Sequence, residues 1–383
     1  MLLSIQYLRG IAALLVLLTH MSFLLNGTYA QQNLGDLLFG QFYFGVDLFF
    51  VISGFVICLS TEKNESNRCL KYLIRRIFRL YPLLLVSVAV YALIAKSMNI
   101  NDHGAPEAYN IVKSMLPLHS DYLSTPPFFG YNLLPPAWTL SYEVAFYGLF
   151  LFALKVSSKY RVVNAIVIIM ATLAAIQIYL TGSLSLNTYR QIVYPDNYLR
   201  PIMALLSSPM LVEFIYGMVA FCLYRYVKLP ATEFVQITLL MIFTASVIIL
   251  CSGALLPRGT GEPSFKLLHG PLHWGVIAFL LTVSTTMYEK TFGLFVSRTL
   301  NRLGDISYSV YLTQWIWFKI LFNLHLFQKM NGASKFLLTG IVVLFASYLT
   351  HHLVERTFVI FSRRIISRMK ISNDPVLQKD EVK

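Results

Sequence analysis

Apolar runs close to twenty residues long recur along the whole of this sequence, and each is long enough to cross a hydrocarbon core of ~30 Å as a helix. Ten such spans are expected, at approximately 5–25, 37–60, 81–96, 137–154, 162–181, 201–224, 234–252, 271–287, 304–322 and 335–353. The third is short and open to extension backwards through the basic segment before it. Only 13% of the 383 residues are charged, about half the share of a soluble chain, against 56% hydrophobic. The expected fold is therefore all-α: one polytopic membrane helix bundle over residues 1–365, followed by a polar, disordered tail at 366–383.

An even number of spans places both termini on one side of the membrane. With that side taken as cytoplasmic, it carries 22 of the 31 Lys and Arg residues, most of them in 61–80 and from Arg356 onward. This excess fixes the orientation by the positive-inside rule. It also attributes the net charge of +13 to topology and anionic lipid contact rather than to nucleic acid. Cys58, Cys69, Cys222 and Cys251 show no paired spacing and read as packing residues, so neither a disulfide framework nor a metal site is expected. Residues 1–30 have a second reading as a signal peptide cleaved after "TYA" at 28–30, but retention of the segment is preferred. The longest loop, 97–136, is rich in proline and aromatics and reads as an ordered lid, with 182–200 similar in character. Their Tyr, Asn, Asp and Arg residues suit carbohydrate recognition and equally suit an interfacial aromatic belt.

The stretch "YLRGIAALLVLLTHMSF" puts Arg9 and His20 on one span, roughly 16 Å apart along a helix axis. Ionisable groups inside a membrane are costly and usually face a cavity or a partner. His20 and Glu143, in "PPAWTLSYEVAFY", fall at a shared depth in the outer half. Asp47, in "FGVDLFFVISGF", and Gln314, in "DISYSVYLTQWIWFK", lie nearer the middle. Arg9 lies near the cytoplasmic end, level with Arg75, Arg76 and Arg79 of "KYLIRRIFRLYP". Tyr142, Ser307 and Tyr311 are further polar residues beside these. The bundle thus offers a basic mouth inside and a His/Glu/Asp layer above it.

Such an arrangement fits transfer of an acyl group across the bilayer from a cytoplasmic donor. The arginines would bind the phosphates of an acyl-coenzyme A. His20 would deprotonate an acceptor hydroxyl or carry the acyl group itself. Glu143 would orient the imidazole and stabilise its cation. Each element also has a plainer reading. Arg75, Arg76 and Arg79 serve as positive-inside residues, Arg9 snorkels, His20 packs, Asp305 caps the ninth span, and Gly54 of "SGF" allows close helix packing.

The blocks "YLRGIAALLVLLTHMSF", "FGVDLFFVISGFVI", "RRIFRLYP", "WTLSYEVAFY" and "GDISYSVYLTQ" resemble, in this order, the membrane acyltransferase 3 family. The resemblance implies an integral enzyme of the bacterial inner membrane that modifies surface polysaccharides, O-antigens or Nod factors. It implies acyl-coenzyme A as co-substrate, with no permanently bound cofactor, a carbohydrate or lipid-linked glycan hydroxyl as acceptor, and acetyl as the default group. The family motifs fall on Arg9, His20, Arg76, Arg79 and Glu143. Two departures bear on the subgroup: Gln314-Trp315-Ile316 stands where a His-Trp-Pro-like group is common, and "LVERTF" lacks the proline common after its glutamate. A transporter of a glycolipid or small anion, and a binding protein with an inactive site, are the rival readings. No two related halves with interrupted helices are evident to favour the transporter.

Overall fold

The computed structural model describes residues 2–63, 65–98, 107–252 and 268–371. Among these there is no strand, and the chain is an all-α polytopic membrane bundle. Fifteen α-helices follow in order: α1 (Leu3–Met21), α2 (Leu34–Phe39), α3 (Gly45–Ser60), α4 (Arg68–Ser97), α5 (Ala108–Met115), α6 (Trp138–Val156), α7 (Arg161–Thr181) and α8 (Arg200–Leu206); then α9 (Leu211–Tyr226), α10 (Glu233–Ser252), α11 (Trp274–Phe292), α12 (Arg298–Phe322), α13 (His325–Gln328), α14 (Gly332–Thr350) and α15 (Arg356–Ile371).

Each of the ten expected spans meets a helix, with two differences. Seven stretches are long and apolar enough to cross a membrane, and α8 with α9 makes an eighth when that pair, bent by 43°, is taken as one span. Helices α11 and α12 fill the eighth and ninth expected positions without passing the same test. Their hydropathy is lowered by Thr282, Ser284 and Thr286 on α11 and by Ser307, Ser309, Thr313 and Gln314 on α12, all buried against neighbouring helices. The second difference is at the end of the chain. The expected tail begins at 366, but α15 continues to Ile371; residues 372–383 lie outside those described. Similarly, α4 runs back to Arg68 through the basic segment, which gives the third span 30 residues.

Two crossings set the centre of the bundle. Helices α1 and α12 lie side by side in the same direction and touch at Gly10 and Gly304: a Cβ on Gly10 would sit 2.7 Å from the Gly304 nitrogen, and one on Gly304 would sit 2.3 Å from the Gln6 carbonyl oxygen. Next to it, α3 and α9 meet at Gly54 and Gly217, where a Cβ on Gly54 would lie 2.1 Å from the Phe214 carbonyl oxygen. Lipid tails give no hydrophobic drive for helices to associate, so such close backbone approach gathers the dispersion contacts that hold the bundle together. The same α1–α12 crossing places Asp305 within the helix, accepting from Gln6 Nε2 at 2.6 Å. It is therefore not the cap of that helix; Ser297 is, accepting from the Leu300 amide at 3.3 Å.

The described part of the longest loop folds onto the start of α6. Tyr142, fully buried, donates to the Pro127 carbonyl at 2.8 Å, Asn132 donates to the Leu118 carbonyl at 2.7 Å, and Ser141 donates to the Pro117 carbonyl. His119 is enclosed by the rings of Tyr122, Phe129 and Tyr142, and its burial lowers its pKa from 6.5 to about 3. Residues 99–106 of the expected lid lie outside those described.

Two outcomes follow from this packing. Gly54→Val should destabilise the fold by about 3 kcal/mol or more, since backbone rather than a mobile side chain blocks the added group. Gly148→Ala, with open space around it, should be neutral or stabilise by up to about 1 kcal/mol. Thermal unfolding in detergent compares the two. Because the unfolded state takes up the His119 proton first, stability should fall as pH drops below 6.5 and keep falling towards about 3. His119→Phe should flatten that slope in a pH series of unfolding temperatures.

Candidate active site

The RIFR segment at 76–79 spaces two arginines three residues apart, so Arg76 and Arg79 project from one face of α4. That face closes a cavity between α1, α3, α4, α6 and α12 holding about 810 Å3 of unfilled space, its open mouth included. Arg9 of α1 also lines it, and Ser53 of α3, Thr139, Glu143 and Tyr147 of α6, and Ser307, Tyr308 and Tyr311 of α12 complete the polar lining. Val46, Phe49, Phe50, Ile52, Val56, Leu80 and Leu140 make the rest of the wall apolar. A narrow, mainly apolar chamber with a cluster of guanidinium groups can take an anion at one place and a thin organic chain at another.

The three arginines are not equivalent. Arg79 pairs through Nη1 with Glu355, whose side chain is almost wholly buried, and its guanidinium lies 5.4 Å from the centre of the Tyr308 ring. The other Glu355 oxygen accepts from Ser309 Oγ at 2.9 Å and lies 3.1 Å from His351 Nδ1. Glu355 reaches inward because residues His351–Glu355 form a π-turn between α14 and α15. Such turns add one residue to a helix and are frequent at functional sites. Arg76 instead donates to Ser60 Oγ at 2.7 Å and lies over the rings of Tyr72 and Tyr147 at 5.7 and 5.4 Å. Arg9 is within electrostatic reach of Glu143 and Glu355.

Arg75 does not join them. One residue from Arg76 on a helix, it points about 100° away, and it is held outside the cavity by Glu65 at 2.6 Å.

Glu143 and His20 are not partners either. The Glu143 carboxylate accepts from Tyr147, one turn further along α6, and from Ser53 Oγ at 3.3 Å, which ties it into the arginine cavity. His20 lies in the last turn of α1, half-buried, beside Gln314 of α12: His20 Nδ1 and Gln314 Oε1 are 3.2 Å apart. Tyr43 and Trp315 flank the imidazole in T-shaped contacts, with ring centres at 5.9 and 5.7 Å. Tyr311 stands between the two places, with its side chain in the cavity wall and its carbonyl accepting from Gln314 Nε2 at 2.8 Å. Its hydroxyl pairs with Thr139 at 3.0 Å and its ring meets that of Phe49 edge-on.

Asp47 belongs to a different cluster. At the start of α3 and fully buried, it holds His269 Nδ1 at 2.7 Å and the Gly270 amide at 3.0 Å, beside Glu213 of α9. It fastens the segment before α11 and takes no part in a layer with His20. Tyr142 is likewise a fastener of the long loop, while Ser307 lines the cavity with its hydroxyl turned to the Gly304 carbonyl at 2.8 Å. Ser53, Tyr147, Tyr308 and Glu355 were not among the residues singled out from sequence. Only the glutamate carried a signal there, as the residue of "LVERTF" to which the family resemblance drew attention. Among the described residues no group of His, Cys, Asp and Glu could hold a metal ion.

Comparison with known proteins agrees with this architecture. The family described as an acyltransferase domain, acyltransferase 3, matches residues 2–352. BcsY of Komagataeibacter xylinus, which carries the assignment of membrane-bound transacylase, is 26% identical over 370 residues, covering 94% of this chain and 84% of its own. An uncharacterized protein of Haemophilus influenzae is 30% identical over 167 residues, covering 40% of this chain and 65% of its own. No solved structure matches the chain. With the family matched from α1 to the π-turn, the protein belongs to the acyltransferase 3 family and is a membrane-bound acyltransferase.

Proposed function

We propose that this acyltransferase moves an acyl group, acetyl by default, from acyl-coenzyme A to a hydroxyl of an exported or surface carbohydrate. The setting is the bacterial inner membrane, with both termini cytoplasmic. The observation that carries this reading is the pairing, through α1 and α12, of an arginine-lined chamber at one level with His20 at the other. The distribution of basic residues puts Arg76 and Arg9 towards the cytoplasm, where coenzyme A is. Its phosphates would meet these arginines, and its thin pantetheine arm would follow the apolar wall formed by Phe49, Phe50 and Leu140.

At the far end of that path the acceptor oxygen attacks the thioester carbonyl. A C–O bond forms as the C–S bond breaks, the hydroxyl proton passes to His20, and the imidazolium returns it to the departing thiolate. Proton transfer of this kind contributes about 100-fold to 10,000-fold. An acyl-imidazole on His20 is the two-step variant of the same exchange. Glu143 serves the donor side, where its charge and its bond to Tyr147 shape the chamber around Arg9 and Arg76.

The test is mass spectrometry of surface polysaccharide from cells with the gene intact, deleted, or carrying His20→Ala. An acyl mass present only with the intact gene is expected, and the His20→Ala loss should be at least about 100-fold in transfer assays. Identical polysaccharide in all three strains would overturn the reading. On the donor side, Arg76→Ala should weaken coenzyme A binding by about tenfold or more, the scale of one lost charge-assisted hydrogen bond, while Arg75→Ala leaves it unchanged. Titration calorimetry in detergent measures both.

A further inference from the structure

The side chain of Gln314 is clamped in one orientation, and that orientation has a chemical consequence for His20. The Tyr311 carbonyl oxygen can only accept a hydrogen bond, so the Gln314 atom 2.8 Å from it must be the amide nitrogen. The remaining atom, Oε1, therefore faces His20, and an amide oxygen also only accepts. His20 Nδ1, 3.2 Å away, must then carry the proton. A neutral imidazole has one protonated nitrogen, so the lone pair is on Nε2. Gln314 itself is fully buried, which leaves its amide no water to turn towards.

We propose that Gln314 is a positioning residue that fixes His20 in the tautomer protonated on Nδ1, so that Nε2 is the atom that takes the acceptor proton. The proposal rests on the reading of His20 as the group that handles that proton. It holds for either route, because a general base and an acyl carrier both act through the unprotonated nitrogen. Gln314 differs from the more usual carboxylate partner of a catalytic histidine in one respect: it orients the ring without adding a charge that favours the imidazolium.

The experiment is nitrogen NMR of the full chain in lipid nanodiscs with ring-labelled histidine, the His20 signals being those lost in His20→Gln. The expected wild-type spectrum has Nδ1 protonated and Nε2 bare. Gln314→Leu should give a mixture of tautomers, and Gln314→Glu should restore the Nδ1 proton. In transfer assays Gln314→Leu should lower kcat by about tenfold or more, within the range that general-base catalysis contributes, without changing the donor KM. Gln314→Glu should recover kcat with the acid limb of its pH profile moved to higher pH, because a carboxylate favours the charged ring. A proton on Nε2 in the wild type, or a spectrum unchanged in Gln314→Leu, would overturn the proposal. A His20→Gln protein that transfers at the wild-type rate would overturn the base reading instead, and the NMR would still decide the tautomer.

Discussion

The contact of Gly10 with Gly304 is the constraint on which the site depends. Because neither residue has a side chain, α1 and α12 approach closely enough for their polar groups to meet at several levels along a parallel pair. Gln6 reaches Asp305 on one side of the crossing and His20 reaches Gln314 on the other, while Arg9 is delivered to the chamber wall next to Ser307. A larger residue at the crossing would separate these pairs together, and each would then leave a buried polar group without a partner in an apolar medium. The α3–α9 crossing at Gly54 and Gly217 does the same for the far wall, where Ser53 is turned to Glu143.

Within this frame, charge is balanced locally. Glu355 sits against Arg79, Glu143 lies among Tyr147, Ser53 and Arg9, and Asp47 is held by His269 and the Gly270 amide. Buried ions survive only with such partners, and isolating one would cost several kcal/mol. Arg76 meets the Ser60 hydroxyl and the rings of Tyr72 and Tyr147, whereas Arg79 meets the Glu355 carboxylate. That difference separates an arginine that completes the structure from one that remains open to a ligand, although both come from a single four-residue motif.

Much of this was legible in the sequence, and the boundary between what was and what was not is physical. Span lengths, the helical extension through Arg68 and the shared face of Arg76 and Arg79 follow from residue type and the 3.6-residue period. Gly54 was recognisable as a packing residue for the same reason. Depth can be counted along a sequence, but the direction a side chain faces around the bundle cannot. Glu143 and His20 were thus expected to meet because their counted depths agreed, although they belong to different neighbourhoods. Arg75 failed for a local reason, since adjacent residues on a helix cannot share a face. Glu355 failed for a global one: its partner is 276 residues away, and the π-turn that brings it inward has no sequence signature of its own.

That turn also gives the end of the bundle a property unlike that of its other helices. One added residue rotates everything downstream by about 100° relative to an uninterrupted helix. Since Arg356 rather than a proline follows Glu355, the chain continues from the turn straight into α15. The phase of α15, with Phe358 stacked on Phe78 of α4 and Phe361 tilted against the same ring, is therefore coupled to the orientation of Glu355. Shortening the segment by a single residue would restore regular helical phase and turn the carboxylate and those rings away from α4 at once. Chain length in this segment is thus under as tight a constraint as residue identity, and single-residue gaps there should be far less tolerated than substitutions of the exposed Leu353.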